Sequence, residues 1–148
     1  MTTSTSRNAS LFEEHRALVR MCDDLKNRAE SGDWRLCEEI WSDFSWRLEE
    51  HMRLEETELF PRYAAQGGSH VGLVKDLVGD HASFRATLAQ MGVNVELHLL
   101  RKVDIDRLVE RLEHHAQREN ETLYPWARSI RLTAAPLSAP RTPAPTGG

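Results

Sequence analysis

A motif built from two metal-binding residue types occurs twice in this chain of 148 residues. The copies are the segments 51–61, HMRLEETELFP, and 115–125, HAQRENETLYP; both read His-x-x-x-Glu and end in Leu, an aromatic residue and Pro. Residues four apart lie on the same face of an α-helix, so each copy directs an imidazole and a carboxylate to one side. The doubled motif therefore predicts a metal site.

A further histidine precedes each copy of the motif, within the pairs Glu14-His15 and Asp80-His81. Both histidines fall on the apolar stripe of a predicted helix, as the residues of the motif do. The chain thus consists of two similar halves, each with one single histidine and one His-x-x-x-Glu pair. Together they supply six inward-facing ionisable residues, namely His15, His51, Glu55, His81, His115 and Glu119.

These six residues need partners if they are buried, because an unpaired carboxylate or imidazole in a protein core costs free energy. Two metal ions would satisfy all of them. The repeat assigns the two histidines of the first half to one ion and those of the second half to the other, and it makes both glutamates bridges. The alternative is a metal-free interaction bundle in which the same residues form hydrogen-bonded pairs.

The donor set indicates which metal to expect. Mixed imidazole and carboxylate ligands without a thiolate favour iron, with manganese and zinc as less suitable ions, and they disfavour copper(I) and iron-sulfur clusters. We therefore predict two bridged, non-haem iron ions.

Apolar residues at three- and four-residue spacing predict four amphipathic helices of roughly 20 to 30 residues. Ser10 and Asp33 are predicted N-caps, residues 66–69 a short connector, and Asp104 or Asp106 the start of the last helix. The predicted fold is all-α, an up-down-up-down four-helix bundle over residues 10–131 built from two similar αα-hairpins. Residues 1–9 and the Pro/Ala-rich segment 132–148 are predicted to be disordered.

Other side chains receive structural interpretations. Both prolines of the motif are expected to end or bend their helices just past the site. The acidic residues beside the motif glutamates are interpreted as a solvated face, which comprises Glu56, Glu58 and Glu121. The large aromatic residues Trp34, Trp41, Phe44, Trp46 and Phe84 are expected in the core, with the thiols of Cys22 and Cys37.

The composition excludes several classes of function. A net charge of -4 offers no basic surface for nucleic acid or for an anionic membrane. No stretch has the roughly 18 consecutive apolar residues of a membrane span, and the N-terminus has no apolar core of a signal peptide. We therefore expect a cytoplasmic protein that binds neither nucleic acid nor membrane.

The doubled motif and its preceding histidines resemble the hemerythrin-like HHE cation-binding domain over about residues 10–130. The resemblance implies a four-helix bundle with a non-haem di-iron centre that binds or reacts with dioxygen, peroxide or nitric oxide. Transferred residue by residue, it implies the same six ligands that the repeat indicates.

Two positions depart from the oxygen-carrying hemerythrins. Those proteins have a second histidine four residues after the one that corresponds to His81, where this chain has Arg85. They also end in His-x-x-x-x-Asp, a spacing that His114 and Glu119 would reproduce. The alignment of the two copies nevertheless favours His115 over His114. Arg85 motivates the hypothesis that the neighbouring iron is more open; the simpler interpretation is that this guanidinium only reaches solvent.

The set of four histidines and two glutamates is more similar to that of di-iron proteins implicated in the repair of damaged iron-sulfur centres, although residues 1–148 contain no counterpart of their cysteine-bearing domain. The predicted function is a di-iron protein that binds dioxygen or a related small oxidant for sensing, storage or detoxification. The alternatives are an iron donor or store and an enzyme that consumes peroxide or nitric oxide.

Overall fold

The computed structural model describes the backbone of residues 4–130 and the side chains of residue 11 and residues 13–130. The described elements are α1 (Ser4–Ser31), α2 (Trp34–Leu54), a π-helical turn (Glu55–Leu59), α3 (Phe60–Ala64), α4 (Ser69–Glu96), α5 (Lys102–Glu121) and α6 (Leu123–Ile130). No strand occurs within residues 4–130, so the all-α prediction is confirmed.

The elements form four helical segments, because α2, the π-helical turn and α3 follow one another directly and a single residue separates α5 from α6. Helix α1 packs against α2 and α5, and α4 packs against the same two helices. This closed ring of contacts is a helical bundle. The alternating helix direction and the assembly from two hairpins stay predictions.

Helix α1 begins at Ser4, earlier than the predicted start at Ser10. Residues 4–10 contain neither Gly nor Pro, so nothing in the local sequence stops the helix from extending through them. The predicted Ser10 cap therefore lies inside a helix. The predicted tail, residues 132–148, falls outside the described residues.

The predicted cap at Asp33 is confirmed, since its side chain accepts a hydrogen bond from the Leu36 backbone N–H at 3.3 Å. Gly32 just before it has φ +76°, a left-handed conformation that suits the end of α1. Helix α5 begins at Lys102, two residues before Asp104, and no side chain caps it.

Both motif prolines interrupt their helices without ending them. Pro61 lies in the first turn of α3, directly after the π-helical turn. A proline has no N–H to donate and its ring displaces the carbonyl four residues earlier, which explains the widened turn. In the second copy the interruption is Thr122, with φ -127° and ψ -69°, three residues before Pro125.

Two apolar clusters fill the bundle. The larger contains Phe44, Phe84 and Leu108, and the smaller contains Leu59, Leu77 and Tyr124. Both cysteines are buried as predicted, and burial raises the pKa of the Cys22 thiol to about 12. The prediction that Trp46 lies in the core was wrong. This residue is 65% exposed and occupies a helix position that faces away from the neighbouring helices.

No helix among the described residues has the length and apolar character needed to cross a membrane.

The Asp33 cap provides a test of the local fold. We expect Asp33→Ala to lower the free energy of unfolding by about 1 kcal/mol, because the Leu36 N–H loses its acceptor. Urea unfolding measures the change, with Ser42→Ala at an exposed position of the same helix as the control. A loss no larger than that of the control would contradict the capping role.

Candidate metal centre

The six predicted ligand residues form one polar layer between the two apolar clusters. Glu55, His81 and Glu119 are completely buried, while His51 and His115 are 4% and 5% exposed. The His15 side chain is 10% exposed and is the most accessible of the six. Their order along each helix explains the layer, because apolar residues of the larger cluster flank them on one side and those of the smaller cluster on the other.

Donor atoms of four residues converge in the first group, which consists of His15, His51, Glu55 and Glu119. His15 Nε2 lies 3.1 Å from Glu119 Oε1. His51 Nε2 lies 3.1 Å from Glu55 Oε2. Two donors bound to one ion at about 2.1 Å lie roughly 3 Å apart when their bonds meet at a right angle. The first group therefore has the dimensions of a metal site.

The second group consists of His81, His115, Glu55 and Glu119. His81 Nε2 lies 3.1 Å from Glu55 Oε1, and His115 Nε2 lies 3.1 Å from Glu119 Oε2. Each glutamate thus places one carboxylate oxygen in the first group and the other oxygen in the second. This is the pairing that the repeat predicts.

The donor set fits metal ions, because several of its buried atoms lack hydrogen-bond partners. No hydrogen bond is made by Glu55 Oε1, His81 Nε2 or Glu119 Oε2. Yet each carboxylate oxygen lies 3.1 Å from an imidazole nitrogen, Glu55 Oε1 from His81 Nε2 and Glu119 Oε2 from His115 Nε2. Such atoms are close but not aligned for hydrogen bonding with one another, and the donor atoms of the second group all lie within 4.8 Å of one another. A cation there would offset the cost of burying them.

Two outer carboxylates orient the histidines of the second group. His81 Nδ1 donates to Glu56 Oε2 at 2.7 Å, and His115 Nδ1 donates to Asp80 Oδ2 at 2.9 Å. A carboxylate only accepts, so the Nδ1 atoms carry hydrogens and Nε2 is the ring nitrogen that faces the group and is available to a cation. The interpretation of Glu56 as part of a solvated face was wrong, because that face packs against α4 at this position.

Arg85 holds the outer carboxylate Glu56 in place. Its guanidinium donates to both carboxylate oxygens of Glu56, at 2.8 Å and 3.0 Å, and also to Glu49 at 2.9 Å. The expectation that Arg85 only reaches solvent was therefore wrong. Although partial burial favours the neutral acid, the hydrogen bonds from Arg85 and His81 hold the pKa of Glu56 below its ordinary value.

Electrostatics within the layer raise the pKa values of His51 and His115 when no cation is present. Burial alone would lower the pKa of His115, but the Glu119 carboxylate 3.1 Å away and the hydrogen bond to Asp80 raise it to about 9. Burial likewise opposes ionisation of Glu55, yet the charge and hydrogen bond of His51 hold the pKa of Glu55 well below its ordinary value. The layer therefore keeps negative charge on its carboxylates and attracts cations.

Tyr124 is a site residue that the sequence did not single out. Its ring is fully buried, and its hydroxyl donates a hydrogen bond to Glu55 Oε2. The same hydroxyl lies 3.2 Å from Glu119 Oε1, 3.2 Å from His51 Nε2 and 3.3 Å from His15 Nε2. The available signal was the tyrosine in the second copy where the first copy has Phe60.

His114, the alternative to His115, is exposed and contacts neither group of donors. The choice of His115 from the alignment of the two copies agrees with this placement.

A cleft of about 570 Å³ between α1 and α5 reaches the first group at His15. Its walls include the apolar residues Leu18, Val19, Leu112 and Ala116, and Asn120 lines it beside the site. The cleft therefore connects solvent with the most exposed of the six ligand candidates.

The fold and site define a class of protein: a helical bundle that holds two buried His/Glu groups in its core, as carboxylate-bridged metal proteins do. The chain matches the family model described as the hemerythrin HHE cation-binding domain over residues 8–127, and it belongs to that family. Searches of curated proteins and of solved structures returned no match. The resemblance found in the sequence is thus confirmed, and it makes this a cation-binding domain.

The raised pKa of His115 predicts a pH dependence for the metal-free protein. A raised pKa in the folded state adds stability that is complete below the ordinary value near 6.5 and is lost as the pH rises towards about 9. Between pH 6 and pH 8 we expect this contribution to fall by about 2 kcal/mol. Urea unfolding in chelator measures it, and His115→Gln should show a smaller loss. Equal losses in both proteins would contradict the assignment.

The hydrogen bond from His115 to Asp80 predicts a role in metal affinity. Asp80→Asn should weaken metal binding by roughly 10- to 100-fold, because the ring loses the carboxylate that orients it and raises its basicity. Chelator competition measures the affinity. Asp76→Asn is the matched control, since Asp76 lies one turn earlier with its side chain 71% exposed. An unchanged affinity in Asp80→Asn would show that the hydrogen bond is dispensable.

Proposed function

We propose that this chain is a non-haem di-iron protein that binds dioxygen or a related small oxidant, such as peroxide or nitric oxide, in the cytoplasm. The observation that carries the proposal is the sharing of Glu55 and Glu119 between two groups of donors, each with two imidazoles. One carboxylate oxygen in each group is the arrangement that bridges a pair of ions. The identity of the donors favours iron over manganese or zinc.

Each residue has a defined part in this proposal. The four imidazoles would hold the ions through Nε2, and the two glutamates would link them. When bound, the iron pair would supply electrons for the reversible binding or reduction of the oxidant. Glu56 and Asp80 keep the hydrogen on Nδ1 of their histidines, and the two apolar clusters exclude bulk water from both ends of the layer.

The second group would leave a position without a protein donor for a small ligand. Its protein donors come from four residues, and the position at which oxygen carriers have another histidine is Arg85, which is engaged with Glu49 and Glu56. The rings of Phe60 and Phe84 pack beside this group, with ring centroids 5.2 Å from that of His81 and 5.4 Å from that of His115. Phenyl rings provide no donor, so an ion held by these residues would have a place for an external ligand.

Consumption of peroxide or nitric oxide at the same centre is the second candidate, and the cleft beside His15 favours it. A turnover reaction needs repeated access of substrate and release of product, which this cleft would permit. An iron donor is less well supported, because five of the six donor residues are at most 5% exposed.

The test begins with iron content. We expect about two iron ions per chain after anaerobic reconstitution with ferrous iron, and substantially less in His115→Ala, because each ion needs two imidazoles. His114→Ala is the control, since it removes an exposed histidine from the adjacent position. If the wild-type chain bound no stoichiometric iron, the proposal would be wrong and the metal-free bundle would replace it.

The reduced, iron-loaded protein then distinguishes the candidates. A stable spectral change with one equivalent of dioxygen, reversed by its removal, indicates a carrier or sensor. Consumption of many equivalents of peroxide or nitric oxide indicates an enzyme. Rapid loss of iron to a chelator, with neither of these reactions, indicates a donor.

A further inference from the structure

The two halves of the site differ at one functional group, the hydroxyl of Tyr124. Phe60 and Tyr124 occupy corresponding positions in the two copies of the motif. The Phe60 ring lies 5.2 Å from the His81 ring at an interplanar angle of 31°, and the Tyr124 ring lies 5.6 Å from the His15 ring at 30°. The two aromatic rings therefore pack equivalently against their groups, and only the first group gains an oxygen.

The Tyr124 oxygen lies where a metal ligand of the first group would lie, and a single hydrogen bond does not account for this position. It lies 3.2 to 3.3 Å from three donor atoms, on His15, His51 and Glu119, and it contacts Glu55 Oε2. Donors that share one ion are separated by roughly 3 Å. The Tyr124 oxygen therefore stands at the spacing of a shared coordination sphere from three of the four donors of the first group, and it contacts the fourth, Glu55, directly.

One hydroxyl hydrogen cannot satisfy these four contacts at once. Tyr124 donates it to Glu55, and the remaining three neighbours face the phenol oxygen without it. Two of those neighbours are the Nε2 atoms of His15 and His51. The other ring nitrogen of each, Nδ1, has no hydrogen-bond partner. A cation among them would draw all of these lone pairs, together with that of the phenol oxygen, to one centre.

We propose that Tyr124 is a direct ligand of the ion in the first group, which it binds as a phenolate. This inference rests on the proposed iron centre and goes beyond it. The O–H bond of Tyr124 breaks, its proton leaves to solvent, and the oxygen lone pair forms the bond to the ion with no change of oxidation state. A bound cation promotes this loss of a proton, as it does for other coordinated groups.

The phenolate makes the two ions unequal. The first ion has donors from five residues, whereas the second has donors from four, because Phe60 replaces the tyrosine there. A third negative side chain also stabilises the ferric state of the first ion. External ligands are therefore directed to the second ion.

Visible absorption of the oxidised, iron-loaded protein tests the assignment directly. A ferric phenolate gives a charge-transfer band in the visible and phenolate ring vibrations in the resonance Raman spectrum on excitation within that band. The chain has only two tyrosines, Tyr63 and Tyr124. We expect Tyr124→Phe to lose the band and the vibrations while retaining about two irons per chain. Tyr63→Phe should keep both, because Tyr63 packs against His70 and Trp126 and not against the donors.

The outcomes separate this inference from the proposed function. A wild-type protein with two ferric ions and no phenolate signals would overturn the Tyr124 ligand and leave the iron centre intact. Signals that persist in Tyr124→Phe would overturn it as well. The absence of iron from the wild-type protein would overturn both proposals. The wild-type spectrum is decisive even if Tyr124→Phe does not fold.

Discussion

The structure depends on the burial of two carboxylates at one level of a helical bundle. Glu55 and Glu119 are completely enclosed, and neither could remain charged there without cations or protons beside it. Four imidazoles surround them with Nε2 atoms at 3.1 Å. All four can donate lone pairs to a metal ion, and without one the carboxylates raise the pKa values of His51 and His115.

The apolar clusters and the helix interruptions serve this polar layer. One cluster lies on each side of it, so the bundle core is divided and not continuous. The π-helical turn begins at Glu55, and the break at Thr122 follows Glu119 by three residues. Each interruption brings the aromatic residue of the motif, Phe60 or Tyr124, towards the layer. The proline that causes the interruption directly follows this aromatic residue in the sequence. The Leu-aromatic-Pro end of the motif therefore belongs to the site.

The two halves have diverged from their common pattern in ways that act on different sides of the centre. In the second group, carboxylates orient both histidines from outside, and Arg85 fixes one of these carboxylates. In the first group, the Nδ1 atoms of His15 and His51 have no such partner, but a phenol approaches from within. Carboxylates therefore orient the histidines of the second group, whereas the Tyr124 hydroxyl contacts the donors of the first group. The two groups of donors are thus unequal.

The sequence by itself determined the helices, the cap at Asp33 and the six residues of the polar layer. These features depend on local spacing, since a period near four places residues on one helix face and a repeat shows which faces correspond. The tertiary structure decided which carboxylate oxygen meets which imidazole, that Glu56 and Asp80 reach His81 and His115, and that the Tyr124 hydroxyl enters the first group. These contacts join residues far apart in the chain, so they depend on the rotation and approach of whole helices, which local spacing does not specify.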